Sequence, residues 1–340
     1  MITAKPLSPQ QNAAAGPVRW QQLWREAIRD PRELLDLVGL PGLASRVSAS
    51  AAGQFPLRVP RGFVARMRPG DPQDPLLRQV LPVDDEDRVV PGFGLDAVGD
   101  RAARGGTGVI HKYQGRALLV ATGSCAVHCR YCFRRHFPYG EETAAANQWR
   151  EALDYLAVDA SISEVLLSGG DPLSLSTPKL AEFTGALAAF PHIRRLRLHT
   201  RLPVVLPERV DAELLDWLAG LPQQVVVVIH ANHGNEIDAG VGAALAGLHR
   251  AGATLLNQAV LLRGVNDSAE ALAGLSERLF EAGVLPYYLH QLDRVAGSAH
   301  FEVPEDRSRQ LHAALAARLP GYLVPRLVRE VAGAAAKLTL

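Results

Sequence analysis

A chain of 340 residues, 48% hydrophobic and 21% charged, can bury a large core, enough for one main domain with appendages. Its 36 basic residues balance 35 acidic ones for a net charge of +1, so no global field points to nucleic acid or to an anionic membrane, and a charged partner has to be read by local sites. The opening MITAKPLSPQQNAAAG has neither the basic flank nor the apolar stretch of a secretory signal, and no apolar run approaches the roughly 20 residues that span a bilayer; the expectation is a cytoplasmic protein.

Residues 1–105 read as an N-terminal extension of short helices and loops. One amphipathic stretch at Trp20, Leu23, Trp24 and Ile28 is followed by many Pro and Gly residues. From Arg116 the pattern becomes short apolar runs rich in branched residues, separated by segments of helical period. Six runs are candidate strands: 116–122, 164–169, 194–200, 224–230, 253–261 and 285–292. Between the first two, Trp149, Ala152, Leu153 and Leu156 mark one buried helix face. Thr177 before Pro178 reads as an N-cap and first helical residue, with Leu180, Phe183, Leu187 and Phe190 lining a face. Gly252 and Gly283 stand where helices opening near Ala239 and Ser268 need a left-handed C-terminal residue. Alternating strand and helix predicts parallel strands with right-handed crossovers, either a partial barrel or an open doubly wound sheet.

All three cysteines fall within eight residues, in GSCAVHCRYCFRRHFPY directly after the first long strand. Loops at the C-terminal ends of parallel strands build active sites in such folds. A 4Fe-4S cluster has four irons, each usually held by one thiolate. Cys125, Cys129 and Cys132 supply three, so one iron takes a ligand from outside the chain, and S-adenosylmethionine (SAM) can chelate it through its amino and carboxylate groups. A zinc site completed by His128 or His136 is the competing reading, although zinc motifs more often pair two C-x2-C units from separate segments. A simple electron carrier would need a fourth protein ligand, and there is no fourth cysteine.

The C-x3-C-x2-C spacing resembles the radical SAM superfamily, and SGGDPL (168–173) resembles that superfamily's GGE-type motif. Across 110–337 the chain is similar to the lysine 2,3-aminomutases, and most of all to the bacterial branch associated with elongation factor P. The segments that carry this are HKYQGRALL, CRYCFRRHFPY, LLSGGDPL, TRLPVVLPERV, IHANHGNE, LNQAVLLRGVND and PYYLHQLD, in shared order and spacing. The implied fold is α/β, a partial (βα)6 radical SAM barrel over 106–325, with the extension before it and a short C-terminal tail at 326–340.

The resemblance also implies roles. Lys337, in REVAGAAAK, matches the lysine that holds pyridoxal phosphate (PLP) as a Schiff base; such a lysine must be deprotonated to attack an aldehyde, which predicts surroundings that disfavour the ammonium and a tail folded back over the barrel mouth. Arg134 matches the arginine that pairs with the substrate carboxylate, a contact suited to a guanidinium fork. Asp293 and Glu330 match two acids that hold the ε-ammonium of lysine, and two carboxylates select a cation because an anionic substrate would leave them unpaired. Glu330 stands where better-known members carry Asp, and His290 where relatives carry Tyr. Lys112, Tyr113 and Arg116 match positions near PLP. Gly169, Gly170 and Asp171, with His230, Asn257 and Gln258, are the candidates for SAM.

The implied activity is an isomerase that turns L-lysine into (R)-β-lysine for modification of elongation factor P by its lysine ligase. Its cofactors are the 4Fe-4S cluster, SAM and PLP, and its electron comes from a flavodoxin- or ferredoxin-type reductant. A deoxyadenosyl radical takes hydrogen from C3, and the amino nitrogen migrates from C2 to C3 on PLP. An aminomutase making free β-lysine for other metabolism, and a non-catalytic Fe-S binding protein, are the other readings. Clostridial relatives have extra C-terminal cysteines for a structural zinc; this chain lacks them, so no structural zinc is expected.

Overall fold

A computed structural model describes residues 19–340; the opening stretch read above for a targeting signal lies outside them. All six expected runs are strands, and they belong to one ten-stranded sheet whose spatial order follows the chain. Strands β1 (Arg104–Gly106) and β2 (Val109–Tyr113) form a hairpin that leads antiparallel into β3 (Arg116–Thr122). Then come β4 (Glu164–Gly169), β5 (Arg195–Thr200), β6 (Gln224–Ile229), β7 (Thr254–Val260), β8 (Leu285–His290) and β9 (Arg326–Arg329), each parallel to its predecessor. Finally β10 (Leu338–Thr339) turns back antiparallel on β9.

The six crossovers between β3 and β9 carry the helices Arg150–Val158, Thr177–Leu187, Ala212–Ala219, Ala239–Arg250, Ala269–Glu281 and Glu305–Ala316. The architecture is the expected partial barrel, with a seventh parallel strand, β9, added to the six. Its sequence, RLVR, has two apolar residues between arginines and gives almost no strand signal.

The alternation along the strands explains how one sheet serves two purposes. On β5, Leu196, Leu198 and Thr200 are buried beneath the helices, while Arg197 and His199 point to the concave side. On β7, Leu255, Asn257 and Ala259 take the helix side, and Gln258 and Val260 the concave side. Period-two geometry thus makes a dry outer layer and a polar interior from the same strand. Among the described residues, no helix is long and apolar enough to cross a membrane.

Several helix ends fall where the sequence places them. Gly252 (φ +93°) and Gly283 (φ +75°) follow their helices in the left-handed region, and the side chain of Ser268 caps its helix by accepting from the amide of Ala271 at 3.1 Å. Others differ. Ser176, not Thr177, stands before the helix Thr177–Leu187, so Thr177 is already helical; its hydroxyl instead accepts from Arg209 Nη2 at 3.2 Å. The helix expected from Trp20 to Ile28 ends at Arg25, and Ile28 forms an antiparallel bridge with Val59. The bridge is possible because the chain extends through Ala27 and Arg29, which lets Ile28 enter the core at 1% exposure.

From residue 19 onward the extension is short helices and loops, as expected, and it is bolted to the cysteine loop by buried charge. Arg130 is fully buried and donates to both oxygens of Glu86, at 2.8 Å from Nε and 2.6 Å from Nη2; Arg135 Nη2 adds a third contact at 2.8 Å. One carboxylate thus balances two buried guanidinium groups. The expected result of Glu86→Ala is a loss of about 3–5 kcal/mol, because both cations stay buried without their partner. A lowered urea midpoint in equilibrium unfolding checks it; an unchanged midpoint would mean the cations reach water.

Candidate active site

The concave face of the sheet encloses a cavity of about 470 Å³, within the usual range for a small-molecule site. Cys125, Cys129 and Cys132 line it from the loop after β3, and all three are free thiols, half-buried. Burial is the main reason the Cys125 thiol is pushed up, with Asp171 and the other two cysteines adding to it; burial likewise lifts Cys132 to about 11. Three unpaired soft donors on one loop, open to a cavity, fit a cluster that uses three protein thiolates.

The glycine pair after β4 matters for the loop itself. Gly169 has φ +110°, and a Cβ there would meet the carbonyl oxygen of Thr122 at 2.8 Å; at Gly170 it would meet that of Ser124 at 2.5 Å. These glycines let the two loops lie backbone to backbone. Asp171 then accepts four hydrogen bonds, from Thr200 Oγ1 (2.7 Å) and the amides of Leu173 (3.1 Å), Arg201 (2.7 Å) and Leu202 (3.1 Å). Its carboxylate is saturated by the protein, so it positions the loop rather than offering an open acceptor to SAM.

The other SAM candidates separate by strand parity. Gln258 and His230 line the cavity, and His230 Nε2 is buried with no partner among the described residues; burial holds the ring neutral, at about 4. Asn257 does not reach the cavity. Adjacent residues of a strand face opposite sides, and the Asn257 amide is spent on the Ala231 backbone, accepting its N–H at 2.9 Å and donating to its C=O at 3.1 Å. His199 and His290 also line the cavity with Nε2 atoms unpartnered among the described residues, and burial pushes both rings well below the usual imidazole range. His290 packs edge-on against Tyr288, ring centres 5.6 Å apart.

Toward the tail the cavity wall is a chain of alternating charges. Arg134 Nε donates to Asp100 Oδ2 at 2.7 Å and Nη1 to Ser168 Oγ at 3.1 Å. Lys112 Nζ lies 2.7 Å from Asp100 Oδ1 and 3.0 Å from Glu330 Oε1, and Glu330 is in turn ion-paired with Lys337. Burial opposes the charge on Glu330, but the two lysines win and hold its carboxyl down at about 2. Lys337 reaches this position because β10 pairs with β9 and brings the tail back; its side chain is about a fifth exposed, at 21%. The site is partly buried, as expected, but the surroundings expected to disfavour the ammonium are not what the amine meets. A carboxylate, not a hydrophobic wall, meets its amine.

Asp293 behaves differently from Glu330. It lines the cavity half-buried, and no donor reaches its carboxylate among the described residues. Burial first, and the Glu330 charge second, push it up to about 7. A cation placed beside it would reverse that shift.

The anion sites also sort themselves. Lys112, expected near a phosphate, already shares its charge with two carboxylates. Arg116 stacks over Tyr113 at 4.5 Å and has no acidic partner among the described residues; Arg326, paired in register with Tyr288, likewise has none. Both line the cavity and both act on Tyr288, and two guanidinium groups without acidic partners suit a phosphate dianion. Arg326 was not among the sequence candidates; its signal was weak, since it opens the unrecognised strand β9. Asp100, Ser168 and Arg201 were also missed. Arg201 alone carried a signal, as the residue just past the C-terminal end of β5.

Comparison with known proteins points the same way. Residues 119–273 match the radical SAM superfamily. An L-lysine 2,3-aminomutase of Escherichia coli is 47% identical over 322 residues, which cover 94% of each chain. One of Haemophilus influenzae is 45% identical over 96% of each chain, and one of Clostridium subterminale 32% identical over 94% of this chain and 76% of that one.

Proposed function

Because the chain belongs to the lysine 2,3-aminomutase family of radical SAM enzymes, we propose that it isomerises L-lysine to (R)-β-lysine in this cavity and that the product serves the modification of elongation factor P. The family's cofactors are a 4Fe-4S cluster, SAM and PLP. When bound, the cluster and SAM supply a hydrogen-abstracting radical, and PLP carries the migrating amino group. The observation that carries the reading is a single cavity with three free cysteines on one wall and, on another, Lys337 beside Glu330 and the unpaired Asp293.

Each side chain then has a task. Cys125, Cys129 and Cys132 hold the cluster. The Gly169–Gly170 backbone, His230 and Gln258 face SAM. Arg116 and Arg326 take the phosphate of PLP, Lys337 holds its carbonyl carbon, and Tyr113 and Tyr288 wall the site. Arg134 takes the α-carboxylate of lysine, which must compete with Asp100 for the guanidinium. Asp293 and Glu330 take the ε-ammonium. The protein's part is to align C3 and C2 of the substrate and to keep water from the radical, while the cofactors carry the electronic work. A cytoplasmic setting with a flavodoxin- or ferredoxin-type donor belongs to this reading.

A pH dependence follows from Asp293. Its carboxyl, at about 7, must be ionised to hold an ammonium, so kcat/KM for lysine rises as pH increases through about 7. Below that value, lysine binding expels a proton. The expected signature is an acid limb in kcat/KM that disappears in Asp293→Asn; a limb that survives the substitution assigns it to another group. The destination of the product rests on the resemblance of the 110–337 segments to the elongation factor P branch. Chiral chromatography of the product, and the mass of elongation factor P after incubation with its lysine ligase, test it. An (R) product and a β-lysyl mass increase are expected; an (S) product, or an unmodified factor beside abundant β-lysine, would refute it.

A further inference from the structure

Against the cysteine loop lies a second buried polar network, partly on the cavity wall, that the proposed function does not use. Its centre is Arg201, 5% exposed, at the end of β5. Nη1 donates to Cys129 Sγ at 2.7 Å and to Tyr131 Oη at 2.7 Å, and Nη2 donates to Gln79 Oε1 at 2.7 Å and to Glu236 Oε2 at 2.9 Å. The partners are themselves fixed. Glu236 Oε1 accepts from Gln79 Nε2 (3.1 Å) and from the amides of Asn232 (2.8 Å) and His233 (3.1 Å). Asn232 Nδ2 donates to Tyr131 Oη at 2.7 Å and to Gln79 Oε1 at 2.9 Å. The backbone N–H of Arg201 is held by Asp171.

Four segments therefore converge to hold one guanidinium against one sulfur: the extension through Gln79, the cysteine loop through Tyr131, β5 through Arg201 itself, and the loop after β6 through Asn232 and Glu236. A buried arginine needs only a carboxylate for its charge to be satisfied. Here the carboxylate takes one end of the fork, and the other end is left for the sulfur. Hydrogen bonds and positive charge at a cluster sulfur stabilise the reduced, more negative cluster.

We propose that Arg201 is a positioning residue for the cluster, donating to the Cys129 sulfur so that the cluster accepts an electron at a higher potential, with Glu236 setting how much of the positive charge is felt. The proposal rests on the reading of Cys129 as a cluster ligand. Glu236 is the brake on Arg201: a formal ion pair cancels much of the long-range field but leaves the short-range N–H···S contact in place. Removing the donor and removing the brake consequently act in opposite directions.

The test is a redox titration of the anaerobically reconstituted full chain, following the EPR signal of the reduced cluster, with iron content measured on each sample. Arg201→Met is expected to lower the midpoint potential at unchanged iron per chain. Glu236→Gln, which keeps the shape and frees the guanidinium charge, is expected to raise it. Arg201→Lys, which keeps the charge and shortens the fork, is expected to fall between the wild type and Arg201→Met. A purely structural role for Arg201 would shift iron content and stability without this opposition of sign. If Arg201→Met fails to load iron, Glu236→Gln and Arg201→Lys still decide the matter. Equal potentials in the wild type and in the variants that load iron would overturn the inference. Failure of the wild type to assemble any cluster would instead overturn the reading of the cysteine loop.

Discussion

Lys337→Ala is expected to abolish β-lysine formation, by roughly three orders of magnitude or more, the scale on which loss of one member of a catalytic unit acts. The expectation comes from where the tail goes. β10 pairs with β9, and this places the Lys337 amine inside the cavity, above the ring of Tyr288 at 5.9 Å, with Arg116 and Arg326 lining the same cavity. Removing the side chain does not orphan Glu330, which keeps Lys112 at 3.0 Å, so the fold and the iron content are expected to stay as they are. Borohydride treatment of the PLP-loaded wild type is expected to fix the cofactor on the peptide that contains residue 337, and to fix none in the variant. Attachment at another lysine would remove Lys337 from its assigned place.

Asp293→Asn carries the second large effect. The carboxylate of Asp293 accepts no hydrogen bond among the described residues, and burial, with the Glu330 charge, raises it to about 7 against the pull of Lys337 and Lys112. An ε-ammonium opposes that rise. Truncating one partner of a buried charge pair loses about 2–5 kcal/mol, and a loss in the middle of that range is roughly 10²- to 10³-fold in kcat/KM. The variant is expected to lose this much with lysine. SAM binding, on the other wall, is expected to be unaffected. Glu330 alone cannot replace it, because Lys112 keeps one of its oxygens and leaves a single one for the ε-ammonium. An Asp293→Asn enzyme with wild-type kcat/KM for lysine would show that the ammonium binds elsewhere.

What the sequence could and could not say follows from the range of each interaction. β3 to β8 were legible because their apolar residues either run together, as in QVVVVI of β6, or alternate, as in RLRLHT of β5; β9 was not, since RLVR is held by its neighbour β8 and by the returning tail. Motif and resemblance singled out the cysteine loop, Lys337 and the two acids, and all of them line the one cavity. Asn257 was misplaced for a reason the sequence did contain: it and Gln258 are adjacent on a strand, so only one can face the cavity. Asp100 was not legible by pattern, and Arg201 only by its place just past the C-terminal end of β5. Their partners lie 34 and 72 residues away, at Arg134 and Cys129, and such pairings exist only once the extension and the loops have been folded together. The saturation of Asp171 by four donors belongs to the same class, since three of them come from the end of β5 and the residues after it.

The most direct measurement is an anaerobic assay of the reconstituted protein with SAM, PLP, dithionite and L-lysine, with products followed by mass spectrometry and chromatographic separation of α- and β-lysine. β-Lysine that accumulates only when all three cofactors are present is the result this account predicts. An intact cluster that cleaves SAM while lysine is recovered unchanged would contradict it, because the cavity bounded by Asp293, Glu330 and Lys337 would then be built for a different substrate.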